Sequence, residues 1–226
     1  AKIIENVDFG KPKSIAFDVF FAERDKQSPE EIISAYNIIP SDVKDLQNLK
    51  DPDEVFKNQL SQTNTVLAVL GSNIPSHGNY DRSPKAKFFS KGGNPKNFTY
   101  NFPYSIGSLE KLEKSVKGLG SISFLDQSDG VIRSLPLIVR FNEKLFPTLG
   151  LELIRTGTKK KNLIVKLDET GIREINVRPY KIKSDPNAIM WIRYKQPIRK
   201  QYISAAKVFD GDFDETFFKD KYVLIG

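Results

Sequence analysis

Few residues in this chain are equipped for chemistry. His77 is the only histidine and there is no cysteine. No Gly-x-Ser-x-Gly elbow occurs either, so a nucleophile activated by an imidazole has almost nothing to be built from. His77 lies in a polar stretch and reads as a solvated loop residue. Gly118-Leu119-Gly120 lacks the third glycine of a dinucleotide fingerprint, and the phosphate-loop pattern is absent, so nucleotide binding is not indicated. The densest acidic run is Asp210-Gly211-Asp212-Phe213-Asp214-Glu215, which alternates like the opening of a calcium loop. It places Glu215 where such a loop needs glycine and Lys221 where it needs a bidentate glutamate, and therefore predicts a solvated helix-to-strand connection. No catalytic residue, metal ligand or cofactor is expected.

Positive charge is the other candidate. The chain carries a formal +7, divided unevenly: residues 1–113 sum to −1 and residues 114–226 to +8. Between Arg155 and Lys200 stand 13 basic residues against 4 acidic ones, interleaved with Tyr180, Trp191 and Tyr194, with Tyr202 just beyond. Phosphate contacts and base stacking would use such a mixture. No nucleic-acid motif accompanies it, and lysines spread over strands and hairpin tips are more simply the wet face of a sheet. An anionic ligand, or anionic lipid heads at a membrane surface, would meet the same charge. A soluble binding protein for an anionic ligand or nucleic acid is the alternative this half supports.

Composition sets the frame for these residues. With 39% hydrophobic and 28% charged residues in 226, one globular domain with a substantial core is expected. No apolar run approaches the roughly 20 residues that span a bilayer. The chain opens on Ala1, and Ile3, Ile4 and Val7 carry helical spacing with no capping residue before them. It closes on an apolar run, Tyr222-Val223-Leu224-Ile225-Gly226. These ends suggest a fragment of a larger protein, truncated at both ends.

Ser14-Ile15-Ala16-Phe17-Asp18-Val19-Phe20-Phe21 is of strand length and apolar but for Asp18, as a strand buried on both faces would be. Ser28-Pro29-Glu30-Glu31 and Asp51-Pro52-Asp53-Glu54 each supply an N-cap, a proline at the first helical position and early acids, so a helix starts at each. A strand is predicted over 65–70. Residues 71–103 are rich in Gly, Pro, Ser, Asn and Lys and predict a long polar loop, pinned by aromatics such as Tyr80, Phe88, Phe98 and Tyr104. A helix over 108–116, a strand over 121–125, a tight turn at Asp126-Gln127-Ser128-Asp129-Gly130 and a strand over 131–141 containing Pro136 follow. Residues 147–155 predict a helix ended by Gly157, residues 163–167 and 172–177 a hairpin, residues 189–194 a strand, and Ser204 caps a short helix ended by Gly211. The pattern is α/β: a central mixed β-sheet flanked by helices in a single domain.

Three stretches read together resemble a known family. Residues 12–25 resemble its strand holding an Asp (Asp18) and closing on an acidic corner, Glu23-Arg24-Asp25. Asp129-Gly130-Val131-Ile132-Arg133 resembles its second signature, and residues 218–226 its closing strand. In order and spacing the chain is similar to the CHASE domain of the second type, a cyclase- and histidine-kinase-associated sensory extracellular module. Two departures stand out: the family's first strand and the Trp-Pro segment after it have no counterpart here, and residues 71–103 are longer and more polar than the family's.

The resemblance implies an extracytoplasmic, non-enzymatic sensor on the periplasmic face of the bacterial inner membrane. It implies flanking transmembrane helices and a cytoplasmic output, a nucleotide cyclase or a protein kinase, beyond the fragment. The partners implied are an unidentified small-molecule signal or the membrane surface, with a homodimer permitted and no nucleic acid. Asp18, Glu23, Asp129 and Arg133 become the candidate ligand-binding or polar-core residues. A carboxylate inside an apolar strand needs a partner, because an unpaired buried charge is costly. Arg133 is the partner this reading offers Asp18, and a fold-holding pair outweighs a ligand contact.

Overall fold

A computed structural model describes residues 1–37, 49–75, 81–125 and 129–226. His77, Tyr80 and the 126–128 part of the predicted turn lie outside the described residues. The chain runs α1 (Lys2–Phe9), β1 (Ser14–Phe17), α2 (Pro29–Tyr36), α3 (Pro52–Gln62), β2 (Thr65–Ser72), β3 (Lys87–Lys91), a 3-10 turn (Pro95–Asn97), β4 (Asn101–Phe102), β5 (Tyr104–Gly107), α4 (Glu110–Ser115) and β6 (Gly118–Ser121). It continues with β7 (Ser134–Pro136), β8 (Ile138–Phe141), β9 (Lys144–Pro147), α5 (Leu149–Gly157), β10 (Asn162–Asp168), β11 (Gly171–Val177), β12 (Tyr180–Lys183), β13 (Ile189–Trp191), a 3-10 turn (Arg199–Gln201), α6 (Ala205–Asp210), a 3-10 turn (Glu215–Phe218) and β14 (Tyr222–Ile225).

The central sheet has the order β14-β1-β2-β6, all parallel, with β5 antiparallel to β2. Its inner strands are buried over Ser14–Phe17, Thr65–Val69 and Gly118–Ser121 because both faces are covered there. Ile15, Phe17, Leu67 and Val69 pack with Ile4 and Val7 of α1, Leu60 of α3 and Leu112 of α4. Ala16, Val66 and Ala68 turn the other way, onto Leu149 and Leu153 of α5. Each such side chain contributes about 1.5–3 kcal/mol on burial if large, less if alanine. A second core forms where Leu151 and Ile154 of α5 meet the sheet β12-β11-β10-β3, filled by Leu163, Val165, Ile172 and Ile175. β4-β8-β9 and β13-β7 complete the described sheets.

The helix starts follow the caps. Ser28 accepts from the Glu31 amide, Asp51 from the Asp53 amide at 2.9 Å, Thr148 from Leu151 and Ser204 from Ala206. Each such cap is worth about 1 kcal/mol. Residues 163–167 and 172–177 do form an antiparallel hairpin. Gly211 ends α6 at φ +79°, and Asp214 caps the following 3-10 turn through the Thr216 amide, 2.7 Å, so the acidic run is the predicted connection.

Four expectations are corrected. Among the described residues, 71–103 is not one long loop: it carries the end of β2, β3, a 3-10 turn and β4. β3 pairs in parallel with β10, Lys87↔Asn162 to Lys91↔Lys166, a partner too distant in sequence to leave a local signal. The strand expected over 121–125 lies earlier, at Gly118–Ser121, where alignment with Val66–Val69 sets it. The turn ending on Gly130 does not close a hairpin, because β6 belongs to the central sheet while β7 pairs with β13. The strand expected over 131–141 is two strands broken at Leu137, whose amide leaves to bond the Ala188 carbonyl at 2.7 Å.

Candidate functional site

The position of Asp18 follows from how β2 shares its edges. Leu67 pairs with Phe17 on β1 and with Leu119 on β6, so those strands lie on opposite edges. Val69 pairs with Gly107 on β5 and Ser121 on β6, so β5 lies on the β1 side. One edge of β2 is thus held first by β1 and then by β5. β1 must part from β2 after Phe17, and Asp18 emerges there, exposed. Its amide still donates to the Ile225 carbonyl of β14 at 2.8 Å. The strand buried over 14–21 is therefore corrected to Ser14–Phe17, and Asp18 is not a buried carboxylate. Among the described residues nothing hydrogen-bonds or pairs with its side chain.

This place has a topological character. From β1 the chain steps to β2 and then β6 in one direction, with α3 and α4 packed on one face. It then returns to the far side of β1 as β14, with α5 packed on the opposite face. The order reverses between β1 and β14. In open α/β sheets the crevice outside the carboxyl ends of the strands at such a reversal is where ligands bind. Asp18 follows the carboxyl end of β1, and a Cβ built on Gly226, just after β14, would lie 3.5 Å from its own.

The loop after Asp18 is anchored rather than loose. The Phe21 amide donates to Ser108 Oγ at 3.1 Å, and the Leu109 amide donates to the Phe21 carbonyl at 2.8 Å. Phe21 also stacks edge-on against Phe17 and Phe56, with ring centroids 5.6 and 4.7 Å away. Further on, Asp25 accepts from the Gln27 amide at 2.8 Å and Arg24 pairs with Glu30. Glu23 sits between these anchors, exposed.

Asp129 and Arg133 do come together, but with each other. Arg133 forks onto the carboxylate, Nη1 to Oδ1 at 3.0 Å and Nη2 to Oδ2 at 2.7 Å, with both side chains about half exposed. The Val131 amide adds a third donor to Oδ1 at 3.1 Å. The guanidinium, and then that amide, hold the Asp129 carboxyl below the usual carboxylate range. The pair closes the approach to β7 locally. Arg133 is thus given to Asp129, four residues away, and the buried Asp18–Arg133 pairing is not what this structure builds. Asp18 follows the carboxyl end of β1 and Glu23 lies five residues on in the same loop, both exposed; Asp129 and Arg133 belong to the turn before β7.

The charges that are buried were not singled out from sequence. Glu113 of α4 takes Arg82 Nε at 3.0 Å on both oxygens, while Arg82 Nη1 donates to the Ser105 carbonyl at 2.7 Å. Within α5, Arg155 forks onto Glu152 at 2.6 and 2.7 Å and also reaches the carbonyls of Lys160 and Lys117. The second pair had a signal: a Glu and an Arg three apart in an otherwise apolar helix. Both pairs tie elements together, and Arg82 and Ser105 also line a cavity of about 190 Å3, smaller than the roughly 300 Å3 of ordinary ligand clefts. The basic half is dispersed, with Lys166 paired to Glu174 and Arg173 to Asp168.

The loop after β1 thus carries two exposed carboxylates, Asp18 and Glu23. Among the described residues no group of three His, Asp or Glu side chains could hold a metal ion, and no helix is long and apolar enough to cross a membrane. No curated protein and no solved structure matches the chain. The sequence model of the CHASE2 domain matches residues 1–226. The chain therefore belongs to the CHASE2 family, whose members are extracellular sensory domains and not catalysts.

Proposed function

We propose that this domain is the input module of a membrane-bound bacterial receptor, that it faces the periplasm, and that it receives its signal in the crevice at the carboxyl ends of β1 and β14. The observation that carries the reading is the reversal of strand order between those two strands, with exposed Asp18 beside it. The ligand class that fits is a small molecule presenting a cationic or hydroxyl group to Asp18 and Glu23. Binding would bias a cyclase or kinase output by favouring one conformation of the domain.

A thermal-shift screen of cationic and polyhydroxylated small molecules tests this. A ligand that binds only the folded state raises the melting temperature by mass action. Compounds that stabilise the wild-type domain are expected to lose that effect on Asp18→Asn combined with Glu23→Gln, whose own melting temperature is unchanged. Hits that stabilise the double variant equally would overturn the crevice as the site.

A further inference from the structure

Within the dispersed basic half, one stretch stands apart. Lys166 and Arg173 face carboxylates, whereas no Asp or Glu occurs between Asp185 and Asp210. Among the described residues no ion pair engages Arg193, Lys195 or Arg199, all three exposed. The same stretch carries Trp191, the only tryptophan, 71% exposed, with Tyr194 at 70% and Ile198 at 47%. Large apolar side chains gathered on so short a run and left to water mark an interaction surface, unlike the single exposures every protein shows.

The stretch is held in place. Trp191 pairs with Ser134 at the end of β13, and the Ile192 amide donates to the Arg133 carbonyl at 2.8 Å. The Tyr194 hydroxyl donates to the Ile132 carbonyl at 2.6 Å, so its polar end is satisfied by the protein while its ring stays out. The Gln201 amide donates to the Ile198 carbonyl at 2.8 Å, closing the turn that presents Arg199.

We propose that residues 191–199 form a contact surface for an anionic phospholipid bilayer: Trp191, Tyr194 and Ile198 enter the headgroup layer, and Arg193, Lys195 and Arg199 meet the lipid phosphates. Tryptophan and tyrosine concentrate at the membrane–water interface. Basic side chains lay their apolar stems along that layer while their charged ends reach phosphate. Uniform positive charge disfavours a second copy of the same surface, which would set cation against cation. Single-stranded nucleic acid would use the rings and the cations, but it gives Ile198 no role, and the family is extracellular. The surface uses none of the residues assigned to the crevice and stands whether or not Asp18 binds a signal.

Because Trp191 is the only tryptophan, its fluorescence reports the contact directly. Vesicles of phosphatidylcholine with one third phosphatidylglycerol are expected to shift its emission to the blue and to shield it from acrylamide, and vesicles of phosphatidylcholine alone to do so far less. Each cation near an anionic surface strengthens binding about fivefold. Arg193→Gln, Lys195→Gln and Arg199→Gln together should therefore weaken partitioning onto the anionic vesicles by about a hundredfold, with the circular dichroism spectrum unchanged. Trp191→Ser with Ile198→Ser, followed by sedimentation with the same vesicles, should weaken it by about tenfold or more. Failure to bind the anionic vesicles, or equal binding by the triple variant, would overturn the proposal. Tighter binding to oligothymidylate or to polyglutamate than to the vesicles would also overturn it, by assigning the surface to nucleic acid or to an acidic protein. So would a Trp191 already shielded from acrylamide before vesicles are added, in this domain or in any longer form of the chain, which would assign the surface to a second copy or to the chain itself.

Discussion

Arg155 and Glu152, one turn apart on α5, form a bidentate ion pair at 2.6 and 2.7 Å with almost no solvent access. The guanidinium spends its remaining reach on the carbonyls of Lys117 and Lys160, so it ties α5 to the approach of β6 and to its own C-terminal turn. Breaking a buried pair strands the surviving charge, which costs about 3–5 kcal/mol. Arg155→Met is expected to lose about that much in urea unfolding. Glu152→Leu with Arg155→Met should be less destabilised than Arg155→Met alone, because no charge is left behind.

Gly118 supplies a second check on the same region. A Cβ there would lie 2.8 Å from Glu152 Cγ and Oε1 and 3.0 Å from Val66 Cγ2. Overpacking of this kind costs typically 1–3 kcal/mol. Gly118→Ala should show a loss in that range, recovered in part when Glu152 and Arg155 are replaced by smaller apolar residues.

Asp18 should behave as a surface residue. Asp18→Asn and Asp18→Ala are expected to change unfolding free energy by no more than about 0.5 kcal/mol. A buried, paired carboxylate would instead cost several kcal/mol on losing its partner, so the measurement separates the two placements.

That residue also shows what the sequence concealed. Residues 14–21 look like one buried strand interrupted only by Asp18, and that single carboxylate reads equally as a paired residue inside the strand or as its end. The cause of the break after Phe17 lies in β5, whose start at Tyr104 comes long after β1 and which takes over the edge of β2 from Val69 onward. Helix starts at Ser28, Asp51 and Ser204 were legible because cap and amide lie within three residues of each other, whereas the helix expected from Pro147 starts at Leu149, after the Thr148 cap. β3 was illegible because its partner β10 follows two helices and six strands later. The Arg82–Glu113 pair was hidden likewise, since the two residues are 31 apart and Arg82 lies in a polar stretch. Of the four candidate residues, the Asp129–Arg133 relation was local and could have been read from a four-residue spacing.

Acid titration probes that local pair. Arg133 and the Val131 amide depress the Asp129 carboxyl in the folded state, while the unfolded value is about 3.9. A depressed folded value means that the contribution to stability is present above about 3.9 and is lost as pH falls through the lower folded value. By NMR, Asp129 should titrate below the usual carboxylate range, and Arg133→Gln should move it back toward that range.

The hand-over along β2 has a mechanical side. Phe21, just past the point where β1 lets go, is bonded through both its amide and its carbonyl to Ser108 and Leu109, the two residues that lead from β5 into α4. The segment bearing Asp18 and Glu23 cannot swing outward by itself. It must either break two hydrogen bonds or drag the head of α4 with it, and Glu113 on that helix grips Arg82 on a distant stretch of chain. A displacement at the mouth of the sheet is thus geared to the helix layer behind it, as a latch is to a bolt.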